Sequence, residues 1–490
     1  MNRRELLKAV GAGATGALAV VGNVRPLVAA PWTRARSSWL DASDLKALLT
    51  AAIEKHNVPG ASAAVFRDGQ LVAAAAGVTN ITTGVEMTTD TVMHIGSITK
   101  TINTTLLMQL VDEGRVELDA PLLQYLPDFR VADPQATREI TVKMLVNHTS
   151  GINGELTAEA GHDQERIADA FTRIAGMDQL HAPGKDMSYC NPATVLAGYL
   201  CQRLLKTSWY DLIKERIFKP LEMKHSIVVP EDALLYRATV GHFLNPSDRK
   251  LVRTSFVFLP LSYAPAGATA MLSATDLVTF ARAHLNDGVA PNGHRLLSEA
   301  SAKAMRIKTS SYQGATPFTF GLGWMLGENG IITHAGGGPG ILSGLYAHPP
   351  TKTAVAVLTN AAHGTAVVNE IISPILEAVA KIRPLGSEAR ALVSRASNAP
   401  VDPGRFVGQY EGAVTAVRVI PHGNGIALTS RSKFMIYDSS SLVESAPIPL
   451  RPIEGTTFAM GSSPLRFVNP GSDGRMGHIA MSGRLVKRMS

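Results

Sequence analysis

Met93-His94-Ile95-Gly96-Ser97-Ile98-Thr99-Lys100 is the stretch on which the reading of this chain turns. From Ser97 to Gly114, apolar residues recur at Ile98, Ile102, Leu106, Leu110 and Val111, which predicts an amphipathic helix closed by glycine. Ser97 and Lys100 then stand three residues apart on one face of its first turn, where the lysine amine can reach the serine hydroxyl and take its proton. The helix start adds partial positive charge, and burial lowers a lysine toward a useful base. The spacing alone is a weak signal, because Ser43 and Lys46, Ser247 and Lys250, and Ser430 and Lys433 repeat it. Ser97 is singled out by its setting: an apolar approach, then Gly96 for close backbone passage, then the apolar-faced helix.

Working outward, residues 44–56 read as a helix, with Leu45, Leu48, Leu49, Ala52 and Ile53 on one face. Two apolar runs, 61–66 and 71–76, flank Arg67-Asp68-Gly69-Gln70 and predict a hairpin. The middle of the chain is mostly helical, including 140–145, 164–174 and 193–205. Late in the chain, 334–346 and 353–359 read as paired strands around Pro349-Pro350, followed by a helix from about residue 366 to 382. An α/β plan follows, with a helical insertion between early and late strands. Residues 383–403, rich in Ser, Ala, Pro and Arg, read as a linker. Beyond it, 417–421, 426–429, 465–469 and 477–481 are short strand-like runs separated by Gly- and Pro-bearing turns. Residues 404–490 are therefore expected to form a small antiparallel barrel or sandwich.

The chain has 490 residues, ample for a large core and more than one domain, and its composition excludes collagen-like, coiled-coil and globally disordered classes. The formal charge of +7 is spread along the chain without a basic run interleaved with aromatics, so a nucleic-acid partner is not expected. Arg3-Arg4 precedes a Gly- and Ala-rich apolar stretch over residues 9–22, and residues 1–31 resemble a bacterial twin-arginine export signal. That stretch is well short of the ~20 strongly apolar residues of a membrane span, so no permanent span is expected. A periplasmic or secreted location follows. Cys190 and Cys201, the two cysteines, read as buried thiols rather than a disulfide framework. The histidines show no ligand spacing, so no metal and no cofactor is expected.

Two further motifs follow the serine. Tyr189-Cys190-Asn191 is the only Y-x-N in the chain, and His334-Ala335-Gly336-Gly337 opens a late strand. With Ser97-Ile98-Thr99-Lys100, in this order, they resemble the active-site motifs of the serine β-lactamase and penicillin-binding-protein superfamily. The likeness is greatest to its class C-like branch of esterases, D-aminopeptidases and D-alanyl-D-alanine carboxypeptidases, and it covers residues 42–382. Framework segments share it, among them Leu145-Val146-Asn147-His148-Thr149-Ser150-Gly151 and Phe320-Gly321-Leu322-Gly323-Trp324. The fold implied is an α/β, β-lactamase-like one: an antiparallel sheet flanked by helices, an all-helical half, and the active site between them. The tail, with Gly408-Gln409-Tyr410-Glu411-Gly412, is similar to the lipocalin-like barrel attached to many of these hydrolases.

The resemblance implies a role for each matching residue. Ser97 would be the nucleophile that forms an acyl-enzyme, and Lys100 would accept its proton. Tyr189, its phenol pKa lowered by the nearby ammonium, would be partner base and then acid to the leaving group. Asn191 would hold the substrate amide or the Lys100 amine. The third motif, His334, Gly336 and Gly337, would line the substrate site, with the N–H groups of Ser97 and Gly337 as oxyanion hole. His148 is expected to be structural and His94 to belong to the core. β-Lactamases carry a lysine where this chain has His334; a largely neutral imidazole holds a carboxylate less firmly, which argues against efficient penicillin hydrolysis. The expected function is an exported serine hydrolase acting on a small ester, amide or D-amino-acid peptide, with the barrel shaping access. The alternatives are D-alanyl-D-alanine carboxypeptidase or β-lactamase activity, or a non-catalytic protein that captures peptidoglycan fragments. The partner is thus a small molecule or short peptide, and the oligomeric state is left open.

Overall fold

The computed structural model describes residues 40–155, 166–245, 248–433 and 444–489. The twin-arginine-like segment lies outside the described residues.

The hairpin forms as its turn chemistry dictates. Strands β1 (Gly60–Arg67) and β2 (Gln70–Gly77) pair in register from Gly60 with Gly77 to Arg67 with Gln70. Asp68 and Gly69 sit at φ 51° and 78°, the double left-handed turn that matches strand twist. The late strands are β3 (Ser310–Tyr312), β4 (Phe318–Phe320), β5 (Met325–Leu326), β6 (Ile332–Gly338), β7 (Ile341–His348) and β8 (Thr353–Thr359). They join the hairpin in one antiparallel sheet of order β3-β4-β5-β6-β7-β8-β1-β2. The run 334–346, expected to be one strand, is thus a hairpin broken at Pro339-Gly340. Gly340 adopts φ 65°, and a Cβ there would meet the His242 amide at 2.4 Å.

The β8 strand is buried along its whole length because both faces of the sheet are covered. Val355 and Val357 point to one core and Ala354, Ala356 and Leu358 to the other, the period-two alternation of a strand. Helices α1 (Ala42–Lys55) and α5 (Thr365–Ala380) cover the first face with Leu45, Leu49, Ile53, Ile371 and Ile375. The other face packs against the larger core, which holds α2 (Thr99–Asp112), α3 (Asn191–Leu205) and α4 (Ala274–Leu285). Asn103 ties this half together, donating to the Thr194 carbonyl at 3.0 Å and accepting from the Trp209 indole at 2.8 Å.

At the C-terminus a closed antiparallel barrel runs β9 (Gly408–Glu411), β10 (Thr415–His422), β11 (Gly425–Ser432), β12 (Ile448–Glu454), β13 (Thr457–Met460), β14 (Ser463–Pro470), β15 (Met476–Met481) and β16 (Arg484–Arg488). Only half of these strands were legible; Pro449 and Pro452 obscure β12, and β16 offers only two apolar residues between charged ones. Tyr410, Ile426, Leu428, Phe458, Phe467 and Ile479 pack together in the barrel interior. A short helix, Ser387–Ser394, lies between the two parts.

The barrel is seated on the sheet-and-helix part through Leu485 and Ala480, which pack with Leu180, Met187, Tyr312 and Phe320. The tip of the β15–β16 hairpin makes the polar half of this contact. Gly483 accepts from the Tyr189 amide at 3.0 Å, and Leu485 donates its amide to Ser188 Oγ at 3.1 Å.

Candidate active site

A tight turn over Gly96–Ile98 feeds directly into α2, so Ser97 stands half-buried just ahead of the helix and Lys100 lies in its first turn. The i, i+3 geometry brings Lys100 Nζ to 3.1 Å from Ser97 Oγ, while the amine donates to the Ala266 carbonyl at 2.6 Å. Lys100 is 1% exposed. Burial pushes its pKa down to about 7, with Glu155 opposing the shift and Arg484 adding to it. A neutral amine beside a hydroxyl is equipped to take its proton.

Glycines allow the backbone to close around the serine. Gly96 has φ 51°, and a Cβ on it would meet the Gly337 carbonyl at 2.5 Å; one on Gly336 would meet the Ile95 carbonyl at 1.8 Å. A Cβ on Gly337 would instead enter open space, so this residue faces the cleft. Strand β6 is therefore pressed edge-on against the serine turn. Ser343 Oγ pins the junction, 3.0 Å from the Ile95 carbonyl and 3.2 Å from that of Gly336. Gly336→Ala is expected to force β6 away from the turn, costing about 1–3 kcal/mol of stability and most of the activity. Melting temperature and turnover measured together check this; an alanine variant as active as the parent would show that the contact is dispensable.

Tyr189, at the end of the loop before α3, hydrogen-bonds Ser97 through its hydroxyl, and its ring lies 4.9 Å from Lys100 Nζ. Burial raises the phenol pKa, with the Ser97 bond and the Arg484 charge opposing it. The expected lowering by a lysine ammonium is thereby corrected, because Lys100 is itself held near neutrality and desolvation outweighs the remaining charges. His148 packs its ring 4.3 Å from that of Tyr189 and edge-on to Phe320 at 4.8 Å. Its Nδ1 accepts from the Cys190 amide at 3.2 Å, so it braces the Y-x-N segment from behind. His94 is likewise buried and satisfied, accepting from the Gly96 amide at 3.1 Å and donating to the Ala268 carbonyl at 2.8 Å.

His334 is 2% exposed, and burial pushes its pKa down to about 3, aided by Lys100. It donates from Nδ1 to the Ala335 carbonyl at 2.7 Å, which leaves Nε2 as a bare, buried acceptor. Burial thus holds this imidazole well below the pKa of an ordinary histidine.

Two residues of the site carried no sequence signal. Glu155, its side chain 2% exposed, accepts from Asn191 Nδ2 at 3.0 and 3.2 Å and pairs with Arg484 at 2.8 Å. Arg484, from the barrel hairpin, also donates to the Tyr189 carbonyl at 2.8 Å and lies over its ring at 5.2 Å. It stands 295 residues from Tyr189 in sequence, and no local pattern couples such positions. Cys190 and Cys201 are free and buried. Among the described residues no cluster of His, Cys, Asp or Glu could hold a metal ion, and no helix is long and apolar enough to cross a membrane.

A serine, a buried near-neutral lysine and a tyrosine on one hydroxyl, set against the edge of an antiparallel sheet, define a lineage rather than a chance tetrad. Residues 45–380 match the family model described as Beta-lactamase. The chain belongs to the β-lactamase family. It is 35% identical over 363 residues to penicillin-binding protein 4 of Amycolatopsis lactamdurans, covering 73% of this chain and 94% of that one. The crystal structure of SurE superposes with a TM-score of 0.70 at 25% identity, over 91% of this β-lactamase-family chain and 99% of SurE, so the likeness extends through the barrel. A D-stereospecific amidohydrolase from Streptomyces sp. superposes at TM-score 0.51 and 26% identity, over 67% of this chain and 98% of its own. Members of the β-lactamase family of this kind are serine hydrolases, and this chain is one by descent and by fold.

Proposed function

We propose that this serine hydrolase cleaves a small ester, amide or D-amino-acid peptide through an acyl-enzyme on Ser97, after export to the periplasm or the cell exterior by the twin-arginine-like segment. The observation that carries the reading is the buried Lys100 amine, near neutrality and 3.1 Å from Ser97 Oγ. Lys100 takes the serine proton as Oγ attacks the carbonyl. Tyr189, hydrogen-bonded to the same oxygen and kept as a phenol, relays a proton to the leaving group. The N–H groups of Ser97 and Gly337 receive the oxyanion. A water then attacks the acyl-enzyme by the reverse path and releases the acid.

Selectivity follows from charge. His334 is neutral and Arg484 is neutralised by Glu155, so the cleft has no free cation at these positions to bind a β-lactam carboxylate. The names of its neighbours point the same way, since SurE has been crystallised with D-Leu and another neighbour is a D-stereospecific amidohydrolase. Profiling against p-nitrophenyl esters, D-amino-acid amides and nitrocefin, with fluorophosphonate labelling, tests the reading. Esters and D-amides should be turned over faster than nitrocefin, with the label on Ser97; an unlabelled, inactive folded protein would favour a binding role.

The pH dependence has a definite sign. With a base of pKa about 7, kcat/KM should fall as pH drops through neutrality, because protonated Lys100 cannot accept the serine proton. The ratio of anionic to neutral substrate turnover should stay flat between about pH 8 and pH 6, since His334 remains uncharged and the shared loss cancels. A ratio that climbs on acidification would place the imidazole pKa near its ordinary value.

A further inference from the structure

Residues 187–190 form no helix or strand, so the Tyr189 main chain must find its hydrogen-bond partners elsewhere. They come from two sides. The amides flanking Tyr189, those of Ser188 and Cys190, are held by His148, through its carbonyl at 3.0 Å and its Nδ1 at 3.2 Å. Both polar groups of the Tyr189 main chain go to the barrel: the amide donates to the Gly483 carbonyl at 3.0 Å, and the carbonyl accepts from Arg484 Nη1 at 2.8 Å. Ser482 and Gly483, at φ 50° and 78°, make the tight turn that carries these groups forward between β15 and β16. The other arm of the Arg484 guanidinium, Nη2, meets Glu155 at 2.8 Å, so one planar fork ties the Tyr189 main chain to a buried carboxylate of the hydrolase part. Seating of the barrel has its own apolar contact, through Leu485 and Ala480. A buried ion pair is a poor source of stability, which leaves geometry as what the fork supplies.

The phenol hydroxyl, bonded to Ser97, stands at the far end of a side chain with two torsions, so the hold on the main chain decides where the hydroxyl meets the reacting atoms. We infer that Arg484, reaching in from the barrel, is a positioning residue for Tyr189: by fastening its main chain to Glu155 it sets the phenol where it can hand a proton to the leaving group. This rests on the hydrolase reading above and assigns part of its proton relay to the C-terminal domain. As the bond to the departing oxygen breaks, the phenol proton passes to that oxygen, and Lys100, which took the serine proton, returns one to the phenolate.

The test compares kcat/KM for methyl butyrate and p-nitrophenyl butyrate in the full-length protein. The two share one acyl group and are uncharged; methoxide needs a proton to leave, whereas nitrophenolate leaves as a stable anion. Arg484→Met should lower kcat/KM for the methyl ester about 10- to 100-fold more than for the nitrophenyl ester, the scale for a displaced acid. Tyr189→Phe should shift the ratio at least as far, and the two substitutions together no further than Tyr189→Phe alone. A ratio within each enzyme cancels any loss of active protein, and a barrel that only steadies the fold would lower both rates alike. Where Glu155 left without its partner prevents folding, Arg484→Met with Glu155→Gln removes both charges and is read the same way. An Arg484→Met ratio equal to the parental one overturns the inference, and so does a combined variant whose ratio falls well beyond that of Tyr189→Phe, since Arg484 would then act on another group. If Tyr189→Phe itself keeps the parental ratio, the relay is wrong and the inference falls with it. A shifted ratio in Tyr189→Phe beside an unchanged one in Arg484→Met discards only the positioning role, and fluorophosphonate labelling of Ser97 reports separately on the hydrolase reading.

Discussion

Ser97→Ala is expected to abolish both fluorophosphonate labelling and hydrolysis of every substrate class while leaving the melting temperature close to that of the parent. Removing the attacking oxygen closes the acyl-enzyme route, and the loss should reach the background of the assay. Stability should hardly change, because Ser97 caps neither the turn at Gly96–Ile98 nor α2 and its hydroxyl, among the described residues, is engaged by Lys100 and Tyr189. The same substitution at Ser43 or Ser430, which share the S-x-x-K spacing, should leave labelling intact. Residual turnover in Ser97→Ala above a few per cent of the parent would place the nucleophile elsewhere.

Lys100→Met carries the second-largest expected effect. Methionine keeps most of the buried volume and removes the amine, so the serine loses its base; a drop in kcat of about three orders of magnitude follows from the usual worth of a positioned proton acceptor. The acid limb near neutrality should vanish with it, which a merely steric defect would not achieve. The melting temperature is expected to hold, because the substitution relieves the desolvation of an amine while leaving the Ala266 carbonyl without its donor. Tyr189→Phe should cost less than Lys100→Met, since the phenol is held protonated and shares Ser97 Oγ rather than acting as the base. The double variant should be little worse than Lys100→Met alone, as expected of groups serving one proton path. Losses that add in the barrier, or a Lys100→Met enzyme that retains its acid limb, would assign the base to another group.

Much of the framework was legible because it is written in short-range chemistry. The period of Ile98, Ile102 and Leu106 marks α2, and Asp68-Gly69 marks the turn between β1 and β2. The order of the three motifs around Ser97, Tyr189 and His334 is a property of the chain alone, and the structure brings Ser97, Lys100 and Tyr189 onto one hydroxyl. The run from His334 to Tyr346 was harder. Apolar character alone does not show where a buried strand ends, and the turn at Pro339-Gly340 is fixed by the backbone of Gly241 and His242 closing against it. In the barrel, β12 sets charged and imino residues around Leu450, and β16 holds only Leu485 and Val486 between charged residues; barrel closure buries Leu450 and Val486, while Leu485 on the opposite face is buried against the hydrolase, so neither strand shows a local pattern.

By itself, then, the sequence determined that Ser97 and Lys100 stand three residues apart at the start of one helix and so come within hydrogen-bond distance, because spacing along a helix converts directly into distance. It also marked Gly96 as a place of close backbone passage, and the structure shows that the passage is against β6. The tertiary structure alone decided the protonation of the site, since the pKa values of Lys100, Tyr189 and His334 are set by the water that packing excludes and not by neighbours in the chain. It alone decided that Glu155 meets Arg484, joining the hydrolase to a barrel that follows it in the chain. Such a pairing leaves no local trace: a lone glutamate and a lone arginine have no periodicity, and only the folded chain brings them within 2.8 Å.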